Sequence, residues 1–317
     1  MLSRTASNIF WLARYLERME NLARIIGVSE RMAMMPGETE REVHSQWESA
    51  IIISGCEPLF NDSGCAMERE AILEFLIRDP ENPSSLYSSI QNARINGRSV
   101  RNVLTMEMWE SLNTTWLEFE ARWNSYRNDN DIRPFLDWIK ERTASFRGAI
   151  GGTMVRDQAW RFTQIGTHIE RADNTARILD VKYHVLLPED SGVGGSVDYF
   201  QWTTILRAVS ALGSYHYLYR DQPKPWKIAE LLILRSEMPR SLIYCMRQIE
   251  DRLSELQEEL NDRSSCHRFA GKLCSELRYA DANEIFQNGL HEWLTRFIER
   301  NTHLSEEIRN CYMMVPA

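Results

Sequence analysis

Apolar positions recur at three- and four-residue spacing along almost the whole chain, the signature of helices buried on one side. The spacing predicts a long amphipathic helix over residues 3–35, closed by Pro36-Gly37, then helices over 38–54 and 66–78, the latter stopped at Asp79-Pro80. A fourth helix starts at Ser84, a fifth runs from Thr105 to about Tyr126, and a sixth runs from Arg133-Pro134 to Gly148. Six more are predicted near 156–187, 198–219, 225–236, 239–262, 264–278 and 283–312. No segment alternates β-branched residues between hairpin turns, so the fold class is all-α, a helical bundle. Asn61-Asp62-Ser63-Gly64, Arg127 to Asp131 and the glycine-rich stretch Pro188 to Ser196 read as linkers.

The pattern is written twice. Leu16-Glu17-Arg18-Met19-Glu20-Asn21-Leu22-Ala23-Arg24-Ile25 returns as Ile169-Glu170-Arg171-Ala172-Asp173-Asn174-Thr175-Ala176-Arg177-Ile178, 153 residues later. Gln46-Trp47 matches Gln201-Trp202, and Glu74-Phe75-Leu76-Ile77 with Glu81, Pro83, Ser85 and Leu86 matches Glu230-Leu231-Leu232-Ile233 with Glu237, Pro239, Ser241 and Leu242. Trp138 matches Trp293, and Leu2-Ser3-Arg4 resembles Met154-Val155-Arg156. All these matches fall in one order at offsets of 152 to 156, which points to a tandem duplication of a roughly six-helix unit with pseudo-twofold symmetry. The seam is expected near Gly151-Gly152, giving repeats over 1–152 and 153–317.

Within the repeated phrase, Arg14, Glu17, Arg18, Asn21 and Arg24 share an arc of about 120 degrees on a helical wheel. Phe10 and Ile25 fall inside this arc, so the polar stripe is expected to be at least partly buried. Glu170, Arg171, Asn174 and Arg177 take the same angles in the second copy, and a twofold would bring Glu17 and Arg18 to Arg171 and Glu170. Three readings are open. The stripes form a structural network of buried ion pairs that sets the register of the halves, or a site for an anionic ligand or peptide carboxylate, or a catalytic site with a glutamate as acid or base. Arginine outnumbers glutamate in the stripe, and Arg4 and Arg156 lie on the same helices, which favours an acidic ligand. Arg94, Arg98 and Arg101 share a face of the fourth predicted helix and either extend an anion-binding surface or form a solvated basic face.

Other chemistry is excluded more firmly. No histidine has a glutamate three residues before it, as a di-metal carboxylate bundle requires, so no metal and no cofactor is expected. Asp180 and His184, one helical turn apart, read as an ordinary surface pair. There is no Gly-Lys-Ser/Thr phosphate loop and no Gly-x-Ser-x-Gly elbow. A net charge of -8 argues against a nucleic-acid partner. No apolar run reaches the ~18 residues of a membrane span, and Arg4, Arg14 and Arg18 interrupt any signal-like segment. Six cysteines without a Cys-x-x-Cys spacing suit reduced thiols in the cytoplasm.

The residues also carry a family resemblance. Met1-Leu2-Ser3-Arg4, Trp11-Leu12-Ala13-Arg14-Tyr15-Leu16-Glu17-Arg18, Glu20-Asn21-Leu22-Ala23-Arg24 and Asn82-Pro83-Ser84-Ser85 are its first carriers. Glu107-Met108-Trp109-Glu110, Gly152-Thr153-Met154, Trp160, the run Ile169 to Tyr183 and Pro239-Arg240-Ser241 complete it. Together they resemble the bacterial Alpha-E family, all-helical proteins with a Glu-Arg signature, over essentially the whole chain. His168 departs from the aromatic expected at that position, as does Asp157-Gln158-Ala159 from the expected glycine-containing turn. The resemblance implies genomic association with circularly permuted ATP-grasp ligases and transglutaminase-like cysteine proteases. It therefore implies a non-catalytic accessory role in a peptide synthesis or modification system, with an acidic peptide as ligand. An enzyme acting on a carboxylate or peptide at the Glu-Arg site, or a small-ligand sensor, are the alternatives.

Overall fold

The computed structural model describes residues 1–34, 40–185, 196–261, 264–287 and 289–313. Among them every regular element is a helix, fifteen in all and no strand. Seven lie before residue 154: α1 Ser3–Ala33, α2 Glu40–Ser54, α3 Glu57–Ser63, α4 Arg69–Ile77, α5 Leu86–Ser99, α6 Met106–Asp129 and α7 Arg133–Thr153. Eight follow: α8 Gln158–Val185, α9 Ser196–Ala208, α10 Leu212–Tyr219, α11 Pro225–Leu234, α12 Leu242–Leu260, α13 Ser265–Arg278, α14 Ala282–Gln287 and α15 Leu290–Tyr312.

Local chemistry explains many of the ends. Ser85, Thr105 and Ser241 are N-caps whose hydroxyls accept from the backbone N–H of Ser88, Met108 and Tyr244. Proline occupies the first turn of α3, α7 and α11, where its missing N–H costs no helical bond. Besides the linker expected at Arg127 to Asp131, whose first three residues are the end of α6, three expectations need correction. Asn61 to Ser63 belong to α3 rather than a linker, and the helix ends on Gly64 in the left-handed region at φ 67°. The helix expected over 198–219 breaks into α9 and α10 at Ser210, with φ 55°, and the one over 283–312 breaks at Gly289, with φ 93°. These three changes raise the number of described helices above six in each half: α3 hides under turn-forming residues, while the breaks at Ser210 and Gly289 leave the apolar spacing on either side intact. The expected seam at Gly151-Gly152 lies in the last turn of α7, while the expected linker Pro188 to Ser196 and the Pro36-Gly37 stop fall largely or wholly outside the described residues.

Burial of α1 departs from a one-sided amphipathic helix. It packs against α2, α5, α7, α8, α9 and α15, so Ile9, Phe10, Leu12, Met19, Ala23, Ile25 and Ile26 are all buried although they face different directions. Its partner α8 packs against α1, α2, α11, α12 and α15. A single core cluster runs from Ala6 through both helices to Met313. The α1–α8 approach is close because Gly166 has no side chain: a Cβ there would collide with the carbonyl oxygen of Phe10 and meet the Cβ of Ala13 at 3.3 Å. No described helix is long and apolar enough to cross a membrane.

Candidate functional site

The close α1–α8 crossing faces the two polar stripes toward each other inside the core. Glu17 is 2% exposed and Glu170 6%, so each carboxylate must find its partners within the protein. They exchange them. Arg171 grips Glu17 with two hydrogen bonds, from Nε at 2.8 Å and Nη2 at 2.9 Å. Arg18 grips Glu170 the same way, from Nε at 2.6 Å and Nη2 at 3.2 Å. Arg14 adds a third bond to Glu170 at 2.8 Å and reaches Ser305 on α15 with Nη1. The forked guanidinium suits this pairing because it meets both carboxylate oxygens in one plane.

Three residues outside the expected set complete the Glu17 side. Glu20, fully buried, accepts from Arg24 at 2.6 Å, from Arg240 at 2.6 Å and from Arg147. Arg240, before α12, also reaches Glu17 at 3.2 Å and the Asn21 carbonyl oxygen at 3.3 Å. Arg24 is fully engaged, since its remaining nitrogen donates to the Ala208 carbonyl and the Ser210 hydroxyl. Arg240 lies between Pro239 and Ser241, which match Pro83 and Ser85 in the sequence and belong to a segment that carries the family resemblance, which was the available signal. Arg147 carried none, because its match across the repeat, Thr302, is uncharged.

Charge balance within the cluster governs its chemistry. Burial pushes the Glu17 carboxyl up, but the charges of Arg171, Arg240 and Arg147 outweigh it and hold the group far below the ordinary carboxylate range. Burial likewise raises Glu170, yet Arg18 and Arg14 bring it down to about 2. Desolvation pulls the Arg240 guanidinium down to about 10, with Arg171 and Arg24 adding repulsion. His168, buried beside Arg171, is lowered to about 4 by desolvation and that charge, so its ring is neutral near pH 7. Its Nδ1 lies 2.8 Å from the Gln164 carbonyl oxygen. The neutral ring therefore fills an aromatic's place without adding a charge.

Beside Glu170 the seam opens into a cleft of about 220 Å³. Arg14, Arg18, Asn21, Glu170, Asn174 and Arg177 line it from α1 and α8. Arg177 is held to Asp173 by its Nε at 2.7 Å, and lies over Gly55, whose φ of 71° and missing side chain leave room for the guanidinium. The other predicted residues stay apart. Arg4 is exposed, and exposed Arg156 lies over Trp160 at 4.3 Å. Arg94 bonds Asn113, Arg101 reaches the Leu104 carbonyl, Arg98 is exposed, and none of the three lines the cleft. They therefore do not extend it: Arg94 turns to Asn113 on α6, Arg98 faces solvent, and Arg101 lies beyond the end of α5 at Ser99. Asp180 pairs with His291 at 2.7 Å, across helices. The His184 side chain lies outside the described ones. No cluster of metal-binding side chains occurs among the described residues.

The model of a family described as "A predicted alpha-helical domain with a conserved ER motif", named Alpha-E, matches residues 1–313. The chain belongs to the Alpha-E family. Two Glu-Arg pairs of this Alpha-E chain, Glu17-Arg18 and Glu170-Arg171, are the ones that exchange partners across the α1–α8 seam. Among curated proteins the chain is similar to uncharacterized protein Mb2597 of Mycobacterium bovis, at 22% identity over 301 residues, covering 89% of this chain and 33% of the relative. Uncharacterized proteins MT2643 and Rv2567 of Mycobacterium tuberculosis match over the same shares at 22% and 21% identity. The chain thus spans about a third of the length of these relatives. No solved structure matches it.

Proposed function

We propose that this Alpha-E chain is a non-catalytic accessory component of a bacterial peptide synthesis or modification system. In this reading it docks onto a circularly permuted ATP-grasp ligase, works beside a transglutaminase-like protease in the cytoplasm, and binds an acidic or peptide ligand at its Glu-Arg seam. The observation that carries the non-catalytic part is the state of the two signature glutamates. Each accepts at least three hydrogen bonds from two arginines, and both are held well below neutral pH as carboxylates. A general acid or base works best with a pKa near the operating pH, and neither glutamate is poised there.

The ligand half is supported by the excess of arginine. Among the described residues, the acidic partners of Arg14, Arg18, Arg24, Arg147, Arg171, Arg177 and Arg240 are four, Glu17, Glu20, Glu170 and Asp173. The architecture is read as two repeats, 1–152 and 153–317, related by a pseudo-twofold and packed as one unit. Matching packing supports this: α1 lies on α5 and α7 as α8 lies on α12 and α15, and α2 crosses to α8 as α9 crosses to α1.

Native pull-down with the full chain tests the partner, and recovery of neither a ligase nor a protease counts against the accessory role. Replacing Glu17 with Gln tests the non-catalytic part. The variant is expected to lose thermal stability first; a folded variant that loses turnover in the reconstituted system would instead make the site an enzyme's.

A further inference from the structure

We infer that the cleft beside Glu170 binds a small carboxylate, the size of one amino acid or the free C-terminus of a peptide. The inference rests on the ligand half of the reading above and on its two-repeat register, and adds to it the place, the residues and the ligand class.

In that register the seam holds two equivalent sites, one filled and one open. On the Glu17 side, Arg240 and Arg147 reach in and bond Glu20, and Arg240 also bonds Glu17. The residues in matching positions on the Glu170 side are Ser84, at the Pro-x-Ser offset of 156, and Thr302, at the Trp138-to-Trp293 offset of 155. Both line the cleft of about 220 Å³. Two long cations that fill one site are replaced by two short hydroxyl side chains in the other, and the volume they vacate is many times what a single water needs. It is also below the ~300 Å³ at which drug-sized pockets begin, so the occupant is small.

The walls of the open site offer donors. Asn21 is 2% exposed, and its Nδ2 has no hydrogen-bond partner. Its orientation is not arbitrary: Arg240 can only donate, so the carbonyl oxygen must face Arg240. Asn21 lines the cleft, and with its side-chain oxygen taken by Arg240 its amide nitrogen is the buried group on that wall without a partner. Among the described residues Arg177 bonds only through Nε, leaving both terminal nitrogens free, and Arg18 keeps Nη1 free. A buried donor without an acceptor costs free energy that a ligand oxygen recovers. Arg14, Arg18 and Arg177 face Glu170 and Asp173 across the cleft, a surplus of one positive charge. One carboxylate cancels it, and two oxygens match an arginine fork next to an amide donor. A phosphate, with about two negative charges, would overshoot.

Calorimetric titration of the full chain tests this with three probes: N-acetyl-L-alanine, N-acetyl-L-alaninamide, and trialanine with a free C-terminus. The expected result is saturable binding of one or both acids and none of the amide. If both acids bind, the carboxylate alone is recognised; if only trialanine binds, the site reads a peptide end. Asn21→Asp keeps the acceptor for Arg240 and replaces the donor with a negative charge, so it should weaken binding roughly tenfold or more. Ser84→Arg transplants the residue that fills the other site and should abolish binding even if Asn21→Asp fails to fold. Absence of binding by both acids, equal binding of the amide, or binding that survives in the folded variants would overturn the inference. The titration uses the chain alone, so a pull-down that recovers no ligase leaves its outcome standing.

Discussion

Glu170 sits 6% exposed with three guanidinium hydrogen bonds, and its removal would leave the partly buried Arg14 and Arg18 without a counter-charge. Glu170→Gln is therefore expected to destabilise the fold by about 3–5 kcal/mol in urea denaturation. Removing both members of the reciprocal pair, as in Glu17→Gln with Arg171→Met, should cost clearly less than the two single changes added together. Protonation tests the same pairs. The Glu170 carboxyl titrates near 2 in the fold against an ordinary value of 4.5, so the unfolded chain binds the proton more readily. Its contribution is complete above about pH 4.5 and is lost as pH falls toward 2. His168 acts earlier: its folded value of about 4 lies below the ordinary 6.5, so stability is full above 6.5 and declines as pH falls toward 4. Denaturation midpoints should decline from pH 7 to 5 in the native chain, and His168→Phe should remove most of that slope.

At the scale of elements, the decisive position is Gly166. Its equivalent in the first repeat phrase is Ala13, and the two small residues face each other where α8 comes nearest to α1. Gly166→Ala puts a methyl group against the Phe10 carbonyl and should cost at least about 1–3 kcal/mol, read as a lowered melting temperature. The helical class and most helix spans were legible from apolar spacing, although not the helix number, and Ser85 and Ser241 cap the starts of α5 and α12. The breaks at Ser210 and Gly289 were not, because one left-handed residue leaves the three-to-four spacing on either side intact. The stripe itself was legible in Glu17, Arg18, Glu170 and Arg171, which share a face with Phe10 and Ile25. Arg147 was not, since it arrives from α7 with no counterpart charge in the sequence, and Arg240 was marked only by its Pro239-Arg240-Ser241 segment, with nothing to show that it reaches a phrase more than two hundred residues away.

The whole molecule is organised around one buried pair of helices instead of two separately filled cores. Because α1 buries residues on most of its circumference, residues 1–154 by themselves would expose the surface that α8 and α9 cover, including Glu17 and Glu20 without Arg171 and Arg240. That fragment is expected to lack a cooperative thermal transition and to bind a hydrophobic dye, whereas the full chain melts in one step; a natively dispersed, cooperatively melting fragment would contradict a shared core.

Sequence alone determined the helical class, written in apolar positions every three to four residues, and it carries a phrase that returns after 153. It also placed a Glu-Arg pair in each of the two phrases. Tertiary structure decided which arginines fill the seam and which leave it open, because this depends on side chains that reach in from helices distant in sequence. Arg240 and Ser84 stand at matching places in the chain, but only packing shows that one closes a site around Glu17 and Glu20 while the other lines a cleft. Burial then fixes the charge states, holding both glutamates ionised by surrounding them with guanidinium groups that no local pattern counts.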